Sequence, residues 1–142
     1  MSGEEALRNV PLFAGLESAD LQRLAKMLVP RRYEPGELIL KEGDEAIGFF
    51  VVSSGKVRVV KDLGGDKERT LATLTPGEFF GETALLDGYP RSASVQAVEN
   101  TECLALTRWD FIGELKGSPN MAVEIMRVLA RRLRQTDARL SE

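Results

Sequence analysis

The sequence has 142 residues, 43% apolar and 29% charged, with a formal net charge of −3, a composition that suits one folded globular domain and excludes disordered or fibrous chains. Its 19 basic and 22 acidic residues are interspersed, so no electrostatic footprint for nucleic acid stands out. Histidine is absent and Cys103 is the lone cysteine, which removes Ser-His triads, His-ligated haem, the common zinc sites, an internal disulfide and any Cys-rich metal centre built from this chain alone.

Residues 1–9 are acidic and lack a long apolar stretch, so they do not read as a secretory leader. No segment approaches the roughly 20 apolar residues of a membrane span; a cytoplasmic location is expected. Pro11-Leu12-Phe13-Ala14-Gly15-Leu16 reads as a tight turn between two short helices. The second helix opens behind a Ser18 cap, with Leu21, Leu24, Ala25 and Leu28 at three- and four-residue steps.

The character changes over residues 29–106. Short runs rich in Val, Ile, Phe, Leu and Thr are separated by Pro35-Gly36, Glu42-Gly43-Asp44, Ser54-Gly55, Gly64-Gly65-Asp66 and Pro76-Gly77, turn signals whose regular spacing predicts an all-β sandwich or barrel. The clearest strands are 38–41, 47–53, 56–61, 70–74, 92–98 and 102–106. Val57 and Val59 alternate with Lys56 and Arg58, the pattern of a half-buried antiparallel strand. The run from Ile47 to Val52 does not alternate, which predicts a strand covered on both faces. Cys103 sits in the apolar run Cys103-Leu104-Ala105-Leu106 and reads as a small core residue.

Helical periodicity returns over 109–116, breaks at Gly117-Ser118-Pro119, and resumes as a long helix over 120–140, with Pro119 suited to a first turn. Ala122, Met126, Leu129, Leu133, Thr136 and Leu140 form a heptad seam. That seam suits either a homodimer through the helix or one apolar stripe packed on the β unit.

The chemistry lies in residues 76–95. Gly81 permits close backbone approach, and Glu82 to Leu86 is long enough for a single helical turn whose free N–H groups suit an anion. Arg91 opens the next strand and can add a bidentate, charge-assisted contact. Glu82 contradicts a plain phosphate cradle unless the ligand also offers hydroxyls, which a carboxylate accepts as it does from ribose in dinucleotide folds. Glycine, glutamate and arginine together describe a ribose joined to a phosphate; the competing reading is a surface turn with a Glu–Arg pair.

Phe79-Phe80-Gly81-Glu82-Thr83-Ala84-Leu85-Leu86, followed by Pro90-Arg91-Ser92-Ala93-Ser94-Val95, resembles the phosphate-binding cassette of the cyclic nucleotide-binding domain family. Gly43-Asp44, Phe49 to Val52 and Ser54-Gly55-Lys56-Val57 are similar to that family's early strands. The resemblance implies a non-enzymatic, mainly β protein: an eight-stranded jelly-roll β-barrel with an N-terminal helical unit and a long C-terminal helix. The domain would fill 1–142, with helices over 1–28, the barrel over 29–107, the cassette over 79–95 and helices over 108–142.

It also implies roles within 79–95. Gly81 and Ala84 would present backbone N–H groups, flanked by Phe80 and Thr83. Glu82 would take the ribose 2′-OH and Arg91 the exocyclic phosphate oxygen; Ser92 would add a hydroxyl bond, with Ser94 nearby. Ala130-Arg131-Arg132-Leu133-Arg134-Gln135-Thr136 resembles a run in the bacterial catabolite activator (Crp-Fnr) regulators. That makes Thr136 the candidate base reader and Asp137 a candidate contact to a ligand held by the opposite subunit.

The implied ligand is cyclic AMP, with cyclic GMP as the alternative because some relatives use a hydroxyl at the Ser92 position to favour it. No cofactor, metal, membrane or direct nucleic-acid contact is expected. Two other readings stand: the sensor half of a Crp-Fnr transcription regulator whose helix-turn-helix domain is absent, and a jelly-roll scaffold that binds a protein and no nucleotide. A jelly-roll oxygenase would need metal-binding histidines.

Overall fold

The structure, a computed structural model, describes residues 2–45, 47–82 and 84–141, with side chains described through Thr136. It opens with α1 (Gly3–Arg8), whose Ser2 cap accepts a 3.2 Å bond from the Glu5 amide. A 3₁₀ turn (Pro11–Phe13) and α2 (Ser18–Met27) follow. Ser18 is not the cap expected from sequence. It is the first helical residue, and Glu17 occupies the cap position without a side-chain bond, its carbonyl accepting from the Asp20 and Leu21 amides. Leu21 and Leu24 turn into the core, as their spacing predicts.

Eight strands are present among the described residues: β1 (Val29–Tyr33), β2 (Leu38–Leu40), β3 (Gly48–Ser54), β4 (Val57–Lys61), β5 (Arg69–Leu74), β6 (Phe79–Phe80), β7 (Ser94–Ala97) and β8 (Thr101–Thr107). They form two antiparallel four-stranded sheets, ordered β1-β8-β3-β6 and β2-β7-β4-β5. The jelly-roll expectation therefore holds as two sheets rather than a closed barrel.

β3 explains why its sequence does not alternate. Phe50 and Val52 point between the sheets, where they meet Val57, Val95, Phe80 and Cys103. Phe49 and Val51 point the other way, into the larger core shared with the helices. Phe13 meets Phe49 edge-on at 5.8 Å and Phe111 at 5.7 Å, so the N-terminal unit is fastened to this strand by aromatic burial.

On β4, Val57 is buried and Val59 partly buried against the inter-sheet cluster, as alternation requires. The pattern then breaks, because Val60 is buried as well, at the point where the pairing with β5 shifts from Val59↔Ala72 to Val60↔Thr70. Gly55 turns the chain between β3 and β4 at φ +89°, and a Cβ there would collide with Thr101.

The remaining helices are α3 (Ala84–Asp87), α4 (Arg108–Gly117), capped by Thr107 through the Asp110 amide, and α5 (Pro119–Ser141). α5 carries two apolar stripes where the sequence predicted one. Met121, Ile125 and Val128 are buried, while in the heptad seam Ala122 and Leu129 are half-buried and Met126 and Leu133 are 58% and 64% exposed. Leu140, the last member of that seam, has a side chain outside the described residues. No helix among the described residues is long and apolar enough to cross a membrane.

Candidate functional site

The link from β6 to β7 is shaped by its glycines and its leucines. Gly81 leaves β6 at φ +82°, a left-handed conformation that L side chains avoid, and a Cβ there would run into the Arg91 guanidinium. Leu85 is fully buried in the larger core and Leu86 packs against it. Burying a leucine is worth about 1.5–3 kcal/mol, so the apolar pair fixes α3 onto β3 and α4. At the other end, Arg108 donates to the Leu86 carbonyl at 3.2 Å.

Arg91 is the electrostatic anomaly of the molecule. It is 8% exposed, its Nη2 donates to the Gly48 carbonyl, and its buried Nε has no hydrogen-bond partner among the described residues. No described carboxylate pairs with it. Burial alone draws its pKa below the ordinary arginine value. A guanidinium held this way is poised to take an anion, because each alternative leaves a buried charge uncompensated.

Gly81, Ala84, Arg91 and Ser92 line one cavity of about 390 Å³, together with Asp87, Tyr89 and Pro90. These are four of the residues singled out from sequence, now on one wall. A larger cavity of about 680 Å³ lies elsewhere, between Arg32, Tyr33, Glu37, Asn100 and Glu102. Three of its charged side chains are already engaged: Arg32 pairs with Glu102 at 3.2 Å and Glu37 accepts from the Glu34 amide. The smaller cavity holds the unpaired charge and is the candidate site. Among the described residues no cluster of His, Cys, Asp or Glu could hold a metal ion.

Four of the expected site residues are not among those lining this cavity. Phe80 is a core residue, stacked on Phe50 at 5.1 Å. Ser94 is 3% exposed, and its hydroxyl accepts from the Glu42 amide at 3.0 Å, so it braces the β2–β3 loop. Glu82 lies beside the cavity, paired with Arg132 of α5 at 3.3 Å. Thr136 is exposed, and its hydroxyl donates to the Arg132 carbonyl of its own helix. Thr83, and the side chain of Asp137, lie outside the described residues.

Sequence reading missed Arg132, 50 residues from its partner Glu82, and the Gly48 carbonyl. Arg132 stood in the run Ala130 to Thr136, but no local pattern distinguishes it from Arg131. Tyr89 and Asp87 also line the cavity, although no sequence pattern marks them.

The fold is that of a recognised class. The chain matches the family model for the cyclic nucleotide-binding domain over residues 30–117, more than half its length, and it belongs to that family. It is 42% identical over 134 residues to the cyclic AMP receptor protein of Thermus thermophilus, covering 94% of this chain and 62% of that protein. It is also 37% identical over 107 residues to human cGMP-dependent protein kinase 2, covering 74% of this chain and 14% of the kinase. Among solved structures, the N-terminal domain of a transcriptional regulator from Streptomyces coelicolor superposes with a TM-score of 0.86 at 32% identity, covering 95% and 94% of the two chains. The Thermus thermophilus catabolite activator protein superposes at 0.71 with 44% identity, covering 93% of this chain and 62% of that one. This chain spans 62% of the length of the first of these curated relatives.

Proposed function

We propose that the chain is a sensor domain that binds cyclic AMP in the 390 Å³ cavity and relays occupancy to α5. The carrying observation is Arg91: a buried guanidinium without a carboxylate, beneath a glycine that only a missing side chain allows to approach it. The cyclic phosphate supplies the absent anion, with Arg91 on an exocyclic oxygen and the amides of Gly81 and Ala84 and the hydroxyl of Ser92 around it. Glu82 takes the ribose 2′-OH; a carboxylate has lone pairs enough to keep Arg132 at the same time.

The pair between Glu82 and Arg132 connects ligand to helix. A ligand that changes the acceptor capacity of Glu82 changes the preferred position of α5, and only this differential affinity can shift the helix. Thr136, one turn beyond Arg132, is the proposed base reader, with Asp137 reaching toward a partner's ligand. Cyclic AMP is favoured over cyclic GMP by the likeness to the cyclic AMP receptor protein. The Ser92 hydroxyl and the likeness to a cGMP-dependent kinase keep cyclic GMP as the competitor.

The exposed half of the α5 seam, Met126 and Leu133, supports a homodimer through that helix. A cytoplasmic location fits the free, buried thiol of Cys103. The likeness to regulators longer than this chain supports a second reading, the sensor half of a transcription regulator.

A thermal-shift screen with cyclic AMP, cyclic GMP and cyclic dinucleotides tests the proposal. The largest stabilisation is expected with cyclic AMP. No shift with any of the three leaves the protein-binding scaffold as the better account.

A further inference from the structure

The residues that hold Arg91 in place include four that do not line the cavity. The Arg91 amide donates to the Asp44 carbonyl at 2.9 Å, and the Arg91 carbonyl accepts from the Gly43 amide at 2.8 Å. One residue on, the Ser92 carbonyl accepts from Lys61 Nζ at 2.6 Å. The same ammonium pairs with the Glu42 carboxylate at 3.2 Å. That carboxylate also accepts the Asp62 amide at 3.0 Å, while the Glu42 amide donates to Ser94. Residues 91–93 precede β7 and have no ladder partner of their own, so the direction of the Arg91 side chain is set by these contacts rather than by the sheet.

We propose that Lys61 is a positioning residue for the cyclic nucleotide phosphate, acting through the Ser92 carbonyl on one side and Glu42 on the other; the inference rests on the cavity's being the ligand site. An ammonium offers three donors from one point, and here it ties the segment bearing Arg91 and Ser92 to the loop that grips Arg91 from below. Both Lys61 and Glu42 are partly open to solvent. Water can therefore satisfy their partners when either is removed, and the fold survives while the clamp loosens. The phosphate and ribose are common to both cyclic nucleotides, so the effect is blind to the base.

The test is titration calorimetry of cyclic AMP and cyclic GMP against wild type, Lys61→Met, Lys61→Arg and Glu42→Gln, with melting of each ligand-free protein. Lys61→Met is expected to weaken both ligands equally, by about tenfold, the worth of one charge-assisted hydrogen bond. Lys61→Arg restores most of the loss, Glu42→Gln weakens binding in the same direction, and the ligand-free melting temperatures stay together. Wild-type affinity in Lys61→Met overturns the inference, as does a loss confined to one base. Should Lys61→Met fail to fold, unchanged affinity in Glu42→Gln overturns it. If the wild type binds neither nucleotide, the reading of the cavity itself falls; a wild type that binds beside an unaffected Lys61→Met removes only the role of Lys61.

Discussion

Replacing Arg91 with alanine separates what its guanidinium does with and without ligand. The group is buried, bonded to the Gly48 carbonyl, and without a carboxylate among the described residues. It is a charge held out of water for little local return, so its removal is expected to change folding stability by no more than about 1 kcal/mol. With a phosphate in place the balance reverses. Two unit charges about 4 Å apart at an effective dielectric of about 20 attract by about 4 kcal/mol. Truncating one partner of a desolvated pair typically costs about 2–5 kcal/mol. A loss of about 3–5 kcal/mol is therefore expected, roughly two to four decades in Kd. Titration calorimetry with cyclic AMP reads the affinity, and melting of the same samples without ligand reads the stability. Arg91→Lys keeps the charge without the planar fork and is expected to fall between the two. An alanine variant that binds cyclic AMP within about threefold of wild type refutes the assignment.

Gly81→Ala forces a side chain into a left-handed position against Arg91; a stability loss of about 1–3 kcal/mol is expected, with cyclic AMP affinity falling at least about tenfold, read by melting and calorimetry. Met126→Glu combined with Leu133→Glu places charge on the exposed stripe of α5 and is expected to convert a dimer to a monomer in sedimentation without lowering the monomer's melting temperature. Burial pushes the Cys103 thiol up to about 12, so at pH 8 the native protein is expected to leave a disulfide-exchange reagent unreacted until urea exposes the cysteine. Because the folded value is raised, the stability tied to this thiol is full below its ordinary value of 9.0 and declines as the pH rises toward 12. Denaturant titrations at increasing pH test that sign.

The parts of the fold legible in sequence are those where local chemistry decides. Gly43, Gly55 and Gly77 all adopt positive φ, and the sequence pattern places β3, β4 and β5 between them. The unbroken apolar run of β3 announced burial on two sides, and two cores do flank it. β1 went unread because Val29-Pro30-Arg31-Arg32-Tyr33 is an exposed edge strand with no apolar alternation. β6 went unread because it has two residues and exists only through its pairing with Phe50 and Val51. In the cassette, the meeting of Gly81 and Arg91 at one cavity could be read, because a missing side chain and an isolated charge carry their own meaning. The phenylalanine and serine flanking them could not, because whether Phe80 faces a ligand or Phe50 is settled by the opposite strand. Arg132 and Lys61 bond to partners far away in the chain, and spacing does not encode such pairs.

The central claim is that one phosphate completes the charge balance of Arg91. A crystal structure of the protein with cyclic AMP tests it most directly. The exocyclic phosphate oxygens are expected within hydrogen-bonding distance of the Arg91 guanidinium, and the ribose hydroxyl on Glu82. Electron density for the nucleotide in the groove between Arg32 and Glu102, with Arg91 still bonded to Gly48 alone, would contradict it.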